Sequence, residues 1–320
     1  MKQMEPIKTS RRRLLEMAGV SAGAALVGRG PLFAKGPGAE LVLAMIDAAT
    51  KDEIIVHPVR RNISVLEGSG GNIAVLAGKD GKLLVEAGFA VSRPRISSAL
   101  TSINADPIKH LINTHWHTDH TDGNAWLHAA GAEITAHENT RKRLSVATRV
   151  EGWEWTFPAA PAAALPVNVF AAEHEMRRND TRITMKYYGP AHTDSDVWVI
   201  FTDADVVHVG DTWWNGVYPF IDYSTGGSID GQIRAAEANL AAFTSKMTII
   251  PGHGPVGDRS GVAEFRDMLV ATRENVAKLK KQGRSLSEIV AARPTAAFDA
   301  KWGQFLITPA QFTLLVYQGV

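Results

Sequence analysis

Residues 113–120 read Asn-Thr-His-Trp-His-Thr-Asp-His, which places three imidazoles and one carboxylate within six residues. Imidazole nitrogen and carboxylate oxygen are the usual ligands of zinc and similar divalent cations. A single histidine is ordinarily a core or surface residue. Four ligand-type side chains in one turn are hard to place without a metal. The flanks say what holds the turn. Residues 107–112 read as a buried strand bounded by Pro107, and residues 123–128 read as the start of a helix. The spacing predicts a strand-to-helix turn, the kind of loop on which a rigid scaffold carries its chemistry. His115 and His117 alternate and can point the same way. Asp119 and His120 then point toward a second position nearby.

The chain before this turn is a ladder of short apolar runs. Residues 54–56, 63–66, 72–76 and 82–85 are rich in β-branched side chains and separated by turn formers, the pattern of strands. Asp80-Gly81 marks a tight hairpin between the last two. The glycine run at 68–71 is expected to be a flexible loop, since it lacks the helix that a phosphate-binding glycine loop feeds. Residues 40–50 and 97–103 have helical character. After the turn, 133–137 reads as strand and 138–146 as helix. Trp153, Trp155 and Phe157 precede Pro158, Pro161 and Pro166, so 152–168 is expected to be an irregular, packed crossover between two halves. The second half repeats the pattern, with strands at 182–188, 197–201, 206–209 and 247–250. Helices follow at 229–242, 264–281 and 286–292, and residues 309–320 form a tail.

Three further ligand-type residues, His192, Asp211 and His253, each follow a strand-like run and sit beside Gly or Pro. Singly they carry little weight. In this order, after the His-x-His-x-Asp-His turn, they make the chain similar to the metallo-β-lactamase superfamily over roughly residues 54–258. The resemblance implies an α/β fold, an αββα sandwich of two mixed β-sheets flanked by helices. It implies His115, His117 and His192 on one metal, Asp119, His120 and His253 on another, and Asp211 bridging the two. Several β-lactamases of the family have Cys at the Asp211 position. This chain contains no cysteine and carries Asp there, like the family's hydroxyacylglutathione thioesterases and lactonases. Glu86 stands where the family usually has an Asp that supports the metal turn, and the extra methylene puts that support in question.

The activity implied is that of a dinuclear zinc hydrolase, with two Zn2+ per chain and iron or manganese as possible replacements. Two cations about 3.5–4 Å apart can share a hydroxide that attacks an amide, ester, thioester or lactone carbonyl, a β-lactam among them. Asp119 is the expected catalytic carboxylate, orienting that hydroxide and passing a proton. Two rival readings keep the metal site: an iron-dependent sulfur (persulfide) dioxygenase on the same fold, and a non-catalytic metal or ligand carrier. A flavodiiron-type electron carrier fits poorly, since those resemble this motif with Glu at the His117 position. His57, His110, His128 and His208 lie in or beside apolar runs and are expected to be packing or surface residues, as are His137 and His174. The aromatic run 212–223, directly after Asp211, either walls a substrate cleft or fills the core. No basic cluster is placed to grip a carboxylate or glutathione. The partner is therefore expected to be a small-molecule substrate.

The N-terminus reads as an address. Arg11-Arg12-Arg13 after Ser10, then Leu14-Leu15 and a weakly apolar Gly/Ala-rich run, resembles a twin-arginine export signal over residues 1–34. The run is too short to span a bilayer, so no stable membrane anchor is expected. The expected domain is then 35–320, exported folded by the twin-arginine machinery to the periplasm. Without 1–34 the chain holds 28 basic against 31 acidic residues, which gives no reason to expect nucleic acid as a partner.

Overall fold

The structure, a computed structural model, describes residues 37–320. The expected export signal at 1–34 lies outside the described residues. Among the described residues no helix is long and apolar enough to cross a membrane.

Two sheets carry the fold. The first runs β1 (Ile55–Arg60), β2 (Ile63–Glu67), β3 (Ile73–Leu76), β4 (Lys82–Val85), β5 (Ile108–Asn113), β6 (Glu133–His137) and then β9 (Asn168–Phe170). A separate small hairpin, β7 (Thr148–Val150) with β8 (Trp155–Phe157), interrupts the crossover before β9. The second sheet runs β10 (Glu173–Arg178), β11 (Thr181–Tyr187), β12 (Val197–Phe201), β13 (Val206–His208) and β14 (Thr248–Ile250). Both sheets are mixed. Strands β1 to β4 pair antiparallel, and β4, β5, β6 and β9 pair parallel. In the second sheet only β13 and β14 are parallel.

The period-2 alternation of strand side chains decides the layers. Ala74, Leu76, Leu83 and Val85 point inward and meet Ile183, Met185, Val199 and Phe201 of the second sheet. Their neighbours Ile73, Val75 and Leu84 point outward, under Ile96 and Leu100 of the helix Arg93–Ile103 and Leu127 of the helix Asn124–Ala129. On the far side, Val207 and Ile249 lie under Ile229, Ala236, Phe265 and Leu269 of the helices Ile229–Ala242 and Arg259–Lys281. The result is helix, sheet, sheet, helix: the expected αββα sandwich. Each fully buried Val, Leu or Ile contributes about 1.5–3 kcal/mol.

Several elements, β9 at the end of the crossover among them, depart from the sequence reading. Strand β10 is absent from it, because Glu173–Arg178 alternates charged residues with His174 and Met176 and sits at the sheet edge with one side in water. The crossover holds the β7/β8 hairpin, with Trp153 buried in the turn between its strands. Residues 309–318 form a helix in place of a tail, opened by a Thr308/Gln311 capping box with Pro309 at its first position. The glycine run at 68–71 is packed: Ser69 is buried, and its Oγ accepts from the Phe89 amide at 3.0 Å.

Strands β4, β5, β13 and β14 all end at one rim of the sandwich. Backbone hydrogen bonds tie the loops there into one platform. The Val197 amide donates to Thr114 O at 3.0 Å, Asn72 to Gly252 O at 2.8 Å, Gly252 to Gly210 O at 2.7 Å, and Asp222 to His192 O at 3.0 Å. Loops that would otherwise move independently are thereby fixed against both sheets.

Candidate metal centre

The platform brings together all seven side chains singled out in the sequence. His115, His117, Asp119 and His120 come from the turn after β5. His192 comes from the β11–β12 loop, Asp211 from the turn after β13, and His253 from the loop after β14. All seven are buried. Nitrogens of His115, His117 and His192 lie close enough to hold one metal ion, and so do the ligand atoms of Asp119, His120 and His253. Asp211 faces both groups. Its Oδ2 lies 3.4 Å from His192 Nε2 and 3.4 Å from His253 Nε2, and its Oδ1 lies 3.2 Å from His120 Nε2.

The outer partners fix which nitrogens carry protons. His117 Nε2 donates to Asp222 Oδ2 at 3.0 Å. His192 Nδ1 donates to the Phe220 carbonyl at 2.9 Å. Thr114 donates its hydroxyl proton to Glu86, so its oxygen accepts from His115 Nδ1 at 3.1 Å. Each imidazole therefore turns a lone pair inward: His117 Nδ1, His192 Nε2 and His115 Nε2. Three lone pairs facing one another repel unless a cation lies among them. Buried atoms without a hydrogen-bond partner make the same point, because His115 Nε2, both nitrogens of His120, Asp211 Oδ1 and His253 Nε2 make no hydrogen bond within the described residues. Orphaned buried polar atoms are costly in a protein built only for stability.

The second group is held electrostatically. Glu86 Oε1 lies 3.3 Å from His120 Nδ1, and Asp119 Oδ2 lies 3.4 Å from His120 Nε2. With Asp211, three buried carboxylates converge on one imidazole. Burial opposes its protonation, but Asp119, Asp211 and Glu86 outweigh burial and hold His120 well above its ordinary pKa. Burial likewise opposes charge on His253, yet Asp211 and Asp119 raise it to about 9. His192, with less carboxylate near it, is lowered by burial to about 4. His192 thus offers a neutral imidazole on one side of the centre, while three carboxylates surround His120 on the other. Both suit a divalent cation.

Glu86, the departure noted in the sequence, is fully buried and adopts φ +77°. Its carboxylate accepts from the Thr114 amide at 3.2 Å and from the Thr114 hydroxyl, and so reaches both His115 and His120 through the metal turn. The longer side chain still braces that turn.

Sequence reasoning missed several supports. Asp222 lies eleven residues past Asp211 and reads as a turn former, yet it holds His117 and accepts from Thr225 Oγ1 at 2.6 Å. Asn72 Nδ2 donates to Pro251 O and Gly254 O, both at 2.9 Å, which sets the His253 loop. The glycines are dictated by contact. A Cβ at Gly70 would stand 2.7 Å from the Asp119 Cβ, one at Gly71 would run into the His120 ring, and one at Gly252 into the Asp211 carboxylate. The aromatic run divides its work: Trp213 and Tyr218 fill the core, while Trp214 and Phe220 line the cleft with Trp153. The remaining histidines lie outside the groups that could hold a metal ion. His57 pairs with Glu67 at 3.0 Å, His110 accepts from Arg178 Nε at 2.7 Å, and His208 bonds Asn72 O at 2.9 Å. His128 bonds Ala132 O at 3.1 Å, His137 stacks on Tyr187, and His174 stacks on Phe170.

Comparison with known proteins agrees with this geometry. A family model described as Metallo-beta-lactamase superfamily matches residues 66–267, more than half of the chain. Among solved structures, the stereoselective inverting sec-alkylsulfatase Pisa1 from Pseudomonas sp. superposes with a TM-score of 0.61 at 14% identity, over 83% of this chain and 50% of that one. A metallo-beta-lactamase from Pontibacter korlensis gives 0.55 at 16% identity, over 68% of this chain and 99% of that one. The DIM-1 metallo-beta-lactamase gives 0.54 at 21% identity, over 68% and 97%. The chain spans about half the length of the sulfatase chain it matches. At these identities the structural likeness is one of fold.

Proposed function

The chain belongs to the metallo-beta-lactamase superfamily, and from that premise we propose that it is a hydrolase that holds two divalent cations, zinc by default, and cleaves an amide, ester, thioester or lactone, with β-lactams among the candidate substrates. One observation carries the reading. Three imidazoles, each proton-locked from outside, aim lone pairs at a single point beside a carboxylate that a second ligand group shares. His115, His117 and His192 would hold one cation, Asp119, His120 and His253 the other, and Asp211 would serve both. Bound there, the cations supply reactive water at neutral pH and polarise the substrate carbonyl.

The chain's own groups do the rest. Asp119 lines the cleft, with its Oδ2 3.2 Å from His253 Nε2. That position supports a role for it in orienting a water and taking up its proton. Trp153, Trp214 and Phe220 form an apolar wall that excludes bulk water and strengthens the charges beneath it. The basic N-terminal segment supports export by the twin-arginine route and residence in the periplasm, which cell fractionation of the full chain tests.

Metal analysis of the purified protein, followed by a substrate panel, tests the reading. Two equivalents of zinc with chelator-sensitive turnover of a carbonyl substrate is the expected result. The panel includes alkyl sulfates, because one fold neighbour is a sulfatase. Fully loaded protein that turns over nothing, beside a working positive control, overturns the reading. Iron in the isolated protein, with oxygen uptake on a persulfide, replaces it with the dioxygenase.

A further inference from the structure

Two segments outside the family match close over the ligand cluster. The helix Pro37–Lys51 contributes Leu41 and Met45, one turn apart on a single face. The stretch before the last helix contributes Leu306 and Ile307. Together with the three aromatic rings they wall a cleft whose floor is His117, Asp119, His192 and Asp211, and no lysine or arginine lines it. The room left is about 10 Å³, space for about one water molecule.

The N-terminal helix is a fixed wall. A Cβ at Gly38 would stand 2.8 Å from the Trp153 Cα, so the first helical turn lies directly on that residue. At the other end Ser92 Oγ donates to Ala49 O and Arg95 Nη1 to Thr50 O, both at 2.7 Å. Opposite the cleft, Leu43 of the same helix is exposed.

We propose that Leu41, Met45, Leu306 and Ile307 are specificity-determining residues that restrict this centre to small, uncharged acyl groups and select against carboxylate-bearing substrates such as penicillins. The proposal rests on the hydrolase reading above. A long acyl group must push packed side chains out of register to reach the floor, while a short one displaces few. Away from the cation-binding floor, a substrate carboxylate would shed its water against the apolar wall, where no lysine or arginine is present to pair with it.

The test uses the zinc-loaded protein with uncharged esters of graded acyl length, matched esters bearing a carboxylate, and a penicillin. Wild type is expected to lose about tenfold or more in kcat/KM per large step in acyl size, and about as much for the carboxylate. The double variant Leu41→Ala/Met45→Ala flattens the length profile, and Leu306→Ala does so from the opposite wall. Leu43→Ala keeps the wild-type profile. A second readout is zinc loss to a chromophoric chelator, which is faster in the wall variants and unchanged in Leu43→Ala. A wild-type length profile in wall variants that melt cooperatively overturns the proposal, as does wild-type preference for the long or carboxylated substrates. If no variant hydrolyses anything, the hydrolase reading fails, while the chelator rates still report whether these side chains cover the centre.

Discussion

The Nδ1 of His117 lies 2.9 Å from the Nε2 of His192, and neither atom has a proton to offer the other. Their outer nitrogens are committed to Asp222 and to the Phe220 carbonyl. Asp222 is thus a tautomer lock as well as a tether: its carboxylate keeps the His117 proton on Nε2 and leaves Nδ1 free to bind metal. Its own pKa fits the role. Burial would raise it, but the His117 hydrogen bond and the hydroxyls of Ser224 and Thr225 bring it down to about 2.

Asp222→Asn is therefore expected to weaken metal binding by about 10–100-fold while the chain stays folded. The neutral amide accepts more weakly from His117, and it can turn its NH2 toward the ring and reverse the tautomer. Competition titration against a zinc-responsive dye measures the affinity. Unchanged affinity with an unchanged melting temperature would remove Asp222 from the metal centre.

Gly71 presses on the same centre from below. Its missing Cβ makes room for the His120 ring, which is fully buried and has no space to retreat. Gly71→Ala is expected to cost about 1–3 kcal/mol of stability through overpacking. It should also lower the affinity of the Asp119, His120 and His253 group more than that of the His115, His117 and His192 group. Thermal melts and two-phase metal titrations separate the effects. A variant with wild-type stability and wild-type binding in both phases would show that the ring moves freely.

Much of this centre was legible in the sequence because ligands must be particular residue types. His, Asp and strand-end glycines leave a pattern even when scattered from His115 to His253. The supports left less trace. Asp222 looks like any turn aspartate until the fold returns its loop to His117. The run at 68–71 looks like a flexible loop, since composition cannot show that its glycines are dictated by Asp119 and His120. The layers followed from period-2 alternation. Strand β10 escapes because an edge strand needs no apolar face, and the 309–318 helix because its only sequence marks are the Thr308/Gln311 capping pair and Pro309.

His137 predicts how stability responds to acid. Its Nδ1 accepts from the Asn139 amide at 3.2 Å and caps a helix, while Nε2 donates to Ala171 O at 2.8 Å. Burial lowers its pKa below the ordinary 6.5. As pH falls through about 6.5 the unfolded chain takes up the proton first, so folding is progressively disfavoured below that pH and unaffected above it. Protonation of the folded form also removes the cap acceptor, worth about 1 kcal/mol. His137→Asn keeps a cap acceptor and loses the titration. Denaturant melts at pH 7.5 and 5.5 should show wild type losing more stability than this variant. The difference between the two proteins cancels any shared effect of acid on the metal ligands. Equal losses would show that His137 does not contribute.

Asp211 separates a shared ligand from a one-sided one. Its carboxylate reaches His192 in the first group and His120 and His253 in the second. His253 is grouped only with Asp119 and His120. His253→Ala is therefore expected to reduce the zinc content toward one equivalent and leave the first site near wild-type affinity. Asp211→Ala should weaken both sites, and it leaves the three surrounding imidazoles without the negative charge that offsets a bound cation. Because a ligand bound at 100 times its Kd stabilises the folded state by about 2.7 kcal/mol, the added zinc should raise the melting temperature most in wild type, less in His253→Ala and least in Asp211→Ala. Zinc stoichiometry by atomic absorption and melts with and without chelator read both quantities. If Asp211→Ala loses only one equivalent, and the remaining site binds as tightly as in wild type, the carboxylate serves a single cation and the two groups are independent.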